Sequence, residues 1–104
     1  LVSAITARGG RCLVTADHGN CEEMYERDRK TGLFMRRDDG SLKPKTSHTL
    51  NPVPVAAVGA GLPATLTWND AASAPGLANI SATCLHLLGL EAPEDYQPSL
   101  IADG

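Results

Sequence analysis

The apolar run Cys12-Leu13-Val14 ends abruptly in Thr15-Ala16-Asp17-His18-Gly19-Asn20, and this junction restricts the fold more than any other stretch. Arg11 to Ala16 is too short for a helix and is preceded by Gly9-Gly10. That pattern suits a strand covered on both faces, as in a parallel or mixed sheet. Gly19 and Asn20 are residue types that let a backbone turn sharply. Asp17 and His18 stand side by side at that turn, and a carboxylate and a neutral imidazole are both good ligands for a divalent transition metal. Open α/β sheets place their ligands at the carboxyl ends of buried strands. The six residues therefore read either as half of a metal site or as a plain turn of Asp, Gly and Asn. Cys12 is a candidate core residue. Cys21, just past the turn, is either a soft ligand or an inert thiol.

Around this junction the chain alternates between apolar and strongly polar segments. Leu1 to Arg8 has the pattern of the last turns of an amphipathic helix stopped by Gly9-Gly10. The opening on Leu1, with no capping residue before it, leads us to expect a piece of something longer. Residues 25–46 form a charged excursion holding seven of the nine Lys and Arg residues, with Glu26, Asp28, Asp38 and Asp39 interleaved. Clustered basic residues suit phosphate or nucleic acid. The alternation of sign favours instead a solvated hairpin, with Leu33-Phe34-Met35 as one strand and Asp39-Gly40 at its turn. Ser47-His48-Thr49-Leu50-Asn51-Pro52-Val53-Pro54 leads into a second buried strand over Pro54 to Gly59, its start marked by the prolines. His48 is solvated in a loop, or meets Asp17 and His18. Residues 59–75 read as a loop in which Thr65-Leu66-Thr67-Trp68 is a short strand and Trp68 a packing anchor. The clearest helix has Asn79 as N-cap, an apolar face of Leu77, Ile80, Cys84, Leu87 and Leu88, and Gly89 at its end. His86 falls off that face, and Leu100-Ile101 tuck against the domain.

The 104 residues give one domain that buries something over ~60 % of its unfolded surface. Four aromatic residues leave an aliphatic core, and a net charge of −3 offers no general attraction to nucleic acid or to an anionic membrane. Three cysteines with no close pair fit reduced thiols and a cytoplasmic location. No apolar run approaches the ~20 residues of a membrane helix.

Taken together, Thr15-Ala16-Asp17-His18-Gly19-Asn20-Cys21-Glu22-Glu23-Met24, Ser47-His48-Thr49-Leu50-Asn51-Pro52-Val53-Pro54, Leu77-Ala78-Asn79-Ile80-Ser81-Ala82-Thr83 and Leu87-Leu88-Gly89-Leu90, in that order, resemble the C-terminal end of the cofactor-independent (2,3-bisphosphoglycerate-independent) phosphoglycerate mutases of the alkaline phosphatase superfamily. The resemblance covers essentially the whole chain. It implies an α/β fold: a partial alkaline-phosphatase-like sheet with flanking helices, residues 1–104 being the C-terminal part of a larger metal-binding domain. It implies a metal site of two Mn2+, replaceable by Mg2+ or Co2+, and a serine nucleophile that carries phosphate between 3-phosphoglycerate and 2-phosphoglycerate in glycolysis and gluconeogenesis. Asp17 and His18 resemble the pair that holds the metal beside the nucleophile, and His48 resembles a ligand of the other metal.

The nucleophilic serine, the remaining metal ligands and the substrate-binding arginines and lysine of that family belong to earlier parts of a longer chain. Neither Ser47 nor Ser81 has the nucleophile's context, so no catalytic residue is assigned here and the chain alone is expected to lack mutase activity. Two alternatives follow: another metal-dependent phosphatase or phosphomutase of the same superfamily, or a non-catalytic piece, either a truncated product or a domain that works only by pairing with the missing part. A truncated sheet would also expose edges, which favours association or poor order.

Overall fold

The computed structural model describes residues 1–59, 62, 66–70, 72 and 74–103, and the chain divides into two compact units, Leu1–Val14 with Val55–Gly104, and Thr15–Pro54. The first unit contains α1 (Val2–Ala7), β1 (Arg11–Val14), β2 (Ala56–Gly59), β3 (Leu66–Trp68), a 3-10 turn (Leu77–Asn79), α2 (Ile80–Leu87) and β4 (Ile101–Asp103). α1 ends as its glycines require. Gly9 takes φ 76°, and the Gly10 N–H donates back to the Ile5 carbonyl at 2.9 Å.

β1 pairs with β2 antiparallel, with Arg11 opposite Gly59 and Val14 opposite Ala56. Both expected strands exist, but the parallel or mixed setting does not: among the described residues β1 pairs with β2 alone. The chain that leaves β1 at Val14 returns at Val55 beside the same end, and a return of that kind gives an antiparallel pair. Val14 and Val58 remain 48 % and 38 % exposed, so these strands are not covered on both faces. Cys12, expected in the core, is half-buried. In the expected strand over 65–68, Thr65 lies outside the described residues and Leu66–Trp68 pairs with β4, Trp68 opposite Ile101. Trp68 is 52 % exposed, too open for the packing anchor its size suggests.

α2 stands where the apolar spacing places it, yet it buries a different face. Ala82 and Thr83 are buried, whereas Leu77 and Leu88 are 51 % and 72 % exposed and Cys84 is exposed. The reason lies in the closing tail, which docks on the small-residue face. The Thr83 hydroxyl donates to the Asn79 carbonyl at 2.7 Å and accepts the Leu100 N–H at 2.9 Å. Asn79 does not cap α2 with its side chain. Its Oδ1 accepts the Gly76 N–H and its Nδ2 donates to the Pro98 carbonyl, both at 2.8 Å. Leu100 and Ile101 are thereby buried, as expected of the tail. His86 is half-buried.

The second unit holds the charged excursion, which is a closed triangle of three segments where the sequence suggests a two-stranded hairpin. The Glu26 carbonyl accepts the Met35 N–H, the Met35 carbonyl accepts the Lys43 N–H, and the Lys43 carbonyl accepts the Glu26 N–H, each at 2.9 Å. Paired bridges Arg27 to Phe34, Arg36 to Leu42 and Tyr25 to Pro44 flank this ring. The turn at Asp39-Gly40 is where expected, with Gly40 at φ 83° and Asp39 Oδ1 accepting from the Ser41 N–H and hydroxyl. A matching turn at the other corner has Gly32 at φ 71° and Asp28 Oδ1 accepting the Lys30 and Thr31 N–H groups. Arg27 lies 3.8 Å over the Phe34 ring and donates to the Gly32 carbonyl, which fastens that corner from outside.

Candidate metal centre

Asp17, His18 and His48 all lie in Thr15–Pro54, on two segments that the backbone joins directly. The Thr49 N–H donates to the Gly19 carbonyl at 2.9 Å, forming an isolated antiparallel bridge. Gly19 is buried there, and a Cβ at this position would overlap the Thr49 hydroxyl and the Glu22 carboxylate. Glycine suits this position by close approach rather than by backbone angle, because a side chain would have to displace those two groups.

This bridge brings the two histidines together. Their ring centroids are 3.5 Å apart and the planes differ by 15°. His18 is part-buried and His48 exposed. His18 Nδ1 lies 3.1 Å from the Gly19 carbonyl oxygen. A carbonyl oxygen can only accept, so the proton sits on Nδ1 and the lone pair of His18 is on Nε2. A metal-ligating histidine commonly gives its other N–H to a backbone carbonyl in this way.

The Asp17 carboxylate, 84 % exposed, has its Oδ1 3.5 Å from His18 Nε2. That separation is long for a hydrogen bond. It is close to the ~3.4 Å between two donors that each stand about 2.1 Å from one tetrahedral ion. Asp17 and His18 therefore fit a shared divalent cation. His48 does not fit the same one. An imidazole lone pair lies in the ring plane, and two planes so near to parallel do not meet within the ~2.0–2.1 Å of a metal–nitrogen bond. Among the described residues no three His, Cys, Asp or Glu side chains converge on one point. The geometry thus sets His48 apart from the Asp17–His18 pair. Cys21, considered as a soft ligand, is exposed and its Sγ lies 3.9 Å from Asn20 Oδ1.

Several polar residues around these donors escape a reading of the sequence. Glu22 accepts the Asn20 N–H at 2.7 Å on Oε2 and the Thr49 hydroxyl and Asn51 Nδ2 on Oε1. Its carboxyl is held below the ordinary range, first by the Thr49 hydroxyl. Glu23 pairs with Lys45 and accepts Asn51 Nδ2 at 3.1 Å, and the Lys45 contact likewise lowers its carboxyl. Their separations of 22 to 29 residues carry no periodicity. The only available signal is their adjacency to the Asp-His-Gly turn.

The metalloenzyme superfamily profile matches residues 1–92. The chain belongs to the metalloenzyme superfamily. Within it, this chain is 48 % identical over 101 residues to a 2,3-bisphosphoglycerate-independent phosphoglycerate mutase of Trypanosoma brucei brucei, across 97 % of this chain and 18 % of that protein. It is 46 % identical over the same length to the corresponding Ricinus communis protein. The crystal structure of Leishmania mexicana phosphoglycerate mutase at low cobalt concentration superposes on 98 % of this chain and 18 % of that one, with a TM-score of 0.88 and 49 % identity. The fold is therefore a part of that α/β architecture. This superfamily member spans about a fifth of the length of the curated relatives it matches.

Proposed function

We propose that this chain supplies Asp17, His18 and His48 as metal ligands to the dinuclear site of a cofactor-independent phosphoglycerate mutase, an isomerase that interconverts 3-phosphoglycerate and 2-phosphoglycerate through a phosphoserine. The observation that carries the reading is the placement of Asp17 Oδ1 3.5 Å from a His18 nitrogen whose lone pair is free of its own proton, beside the stacked His48 ring. Asp17 contributes an anionic oxygen, His18 a neutral Nε2 with its ring turned by the Gly19 carbonyl, and His48 a separate nitrogen. A divalent cation bound there supplies Lewis-acid charge for phosphoryl oxygens and lowers the pKa of a neighbouring hydroxyl nucleophile.

The physiological metal under this reading is manganese, with magnesium or cobalt as substitutes. The serine nucleophile and the other ligands come from parts of the enzyme beyond these residues, and the isolated chain does not turn over 3-phosphoglycerate. The test is calorimetric titration of the purified chain with Mn2+, with Asp17→Ala and His48→Ala alongside. Binding that each substitution weakens at least tenfold supports the assignment. Equal binding by wild type and both variants would remove Asp17 and His48 from the site. Measurable conversion of 3-phosphoglycerate by the chain alone would overturn the expected inactivity.

A further inference from the structure

We infer that Glu22 is a positioning residue: it clamps the segment bearing Asp17 and His18 to the segment bearing His48 and so sets the spacing between the two histidines. The inference rests on the metal-ligand reading for its purpose but not for its geometry. Its carboxylate reaches both segments at once. One oxygen accepts the Asn20 N–H, closing the turn that follows His18. The other accepts the Thr49 hydroxyl and Asn51 Nδ2 from the chain just after His48. The segments meet in the backbone bridge Gly19 to Thr49, with the Thr15 hydroxyl on the Pro54 carbonyl to one side of it and the Lys45 N–H on the Met24 carbonyl to the other, both at 2.9 Å. Between these ties the Glu22 carboxylate adds side-chain bonds to the turn after His18 and to the residues just after His48, and so fixes the spacing at the histidines themselves.

Three further features agree with a clamp. Thr49, whose hydroxyl makes the contact, is buried although its neighbours His48 and Leu50 are exposed. Gly19 leaves room for that approach, since any larger residue would displace the Glu22 carboxylate or the Thr49 hydroxyl. The Gly19 carbonyl that orients His18 also accepts the Thr49 N–H, so ring orientation and segment spacing depend on the same junction. Glu23 braces the arrangement through Lys45 and Asn51, but it meets the turn after His18 only with its backbone N–H, which donates to the Asn20 carbonyl at 3.3 Å, so its carboxylate lacks the two-sided reach. Outer partners of metal ligands typically change affinity 10–100-fold when removed.

The experiment has a metal-free arm and a metal arm. Proton NMR of the purified chain without metal reads the stacked pair, because each imidazole shifts the ring protons of the other upfield. Wild type and Asp17→Ala should show those shifts, Glu22→Ala should lose them with its helical circular dichroism retained, and Glu22→Gln, which keeps one acceptor oxygen, should fall between. Upfield shifts unchanged in Glu22→Ala would overturn the clamp, and so would Glu22→Gln losing them as fully as Glu22→Ala. In the metal arm, Co2+ titration followed by visible absorption should show affinity reduced 10–100-fold in Glu22→Ala, with an altered band shape. Absence of Co2+ binding by wild type would mean that the ion is held only when the other ligands of the proposed site are supplied, while the metal-free spectra still decide the clamp.

Discussion

The two units are held together by different chemistry. In Leu1–Val14 with Val55–Gly104 the buried side chains include Ala82, Leu100 and Ile101, and the buried polar groups Asn79 and Thr83 each bond the backbone of the tail. In Thr15–Pro54 the buried residues are Gly19 and Thr49, and order comes from carboxylates that accept backbone N–H groups, from Lys–Glu pairs and from glycine turns. Burial of apolar area carries no charge to titrate or to screen. Exposed ionic contacts are individually weak and respond to both pH and salt. The unit that carries the candidate metal donors is therefore the one whose geometry rests on polar contacts. A cation that ties Asp17 to His18 would add to this unit what the other obtains from its core.

The largest effect that would sharpen this contrast belongs to Ile101. Its side chain is 2 % exposed, so Ile101→Ala is expected to lower stability by about 2–5 kcal/mol. Urea unfolding followed by circular dichroism measures it. Equal loss of signal from the Thr15–Pro54 resonances at the same urea concentration would show that the two units unfold as one and that the contrast has no energetic meaning.

A smaller effect in the same unit concerns Thr83, which is fully buried and serves as both donor and acceptor. Thr83→Val keeps the shape and removes the hydroxyl, leaving the Leu100 N–H without its partner. The expected cost is about 1–3 kcal/mol, with Leu100 amide exchange accelerated. A loss below about 0.5 kcal/mol would mean that the tail is held by burial of Leu100 and Ile101 alone.

How much of this was legible beforehand follows from the range of each interaction. Short periodic signals located β1, β2 and α2 to within a few residues, because they depend on neighbours in sequence. The Gly9 stop and the Asp39-Gly40 turn were legible for the same reason, since glycine alone takes those angles easily. The buried face of α2 was not. Leu77, Leu87 and Leu88 make the stronger apolar stripe on paper, but the tail selects Ala82 and Thr83, whose small size admits its backbone. The third side of the triangle over residues 25–46 was missed because Glu26 uses its N–H and carbonyl toward two different segments, which pairwise hairpin signals cannot express. At the site, Asp17, His18 and His48 could be singled out by residue type. Glu22 could not, since its bonds to Thr49 and Asn51 cross more than 26 residues with no repeating pattern.

The mildest prediction probes the polar unit through pH. The Thr31 and Lys30 N–H groups hold the Asp28 carboxyl below its ordinary value, and the Ser41 hydroxyl and N–H do the same for Asp39. A carboxyl depressed in the folded state stabilises it above the unfolded pKa and loses that contribution as pH falls through the folded pKa. The two turns should therefore stay closed from neutral pH to below the ordinary aspartate range and loosen only beneath it. An NMR titration from pH 6 to pH 2 reads this in the Thr31 and Ser41 amide shifts, which should move together with their own aspartates. Ser41→Ala should raise the Asp39 midpoint and leave that of Asp28 in place, because the two corners share no hydrogen bond. The first unit should show no transition over the same range if its tail is held by Thr83, Asn79 and apolar burial. Coincident midpoints in both units would mean instead that the carboxylates of the excursion support the whole chain, and that the separation of polar and apolar stabilisation is only one of position.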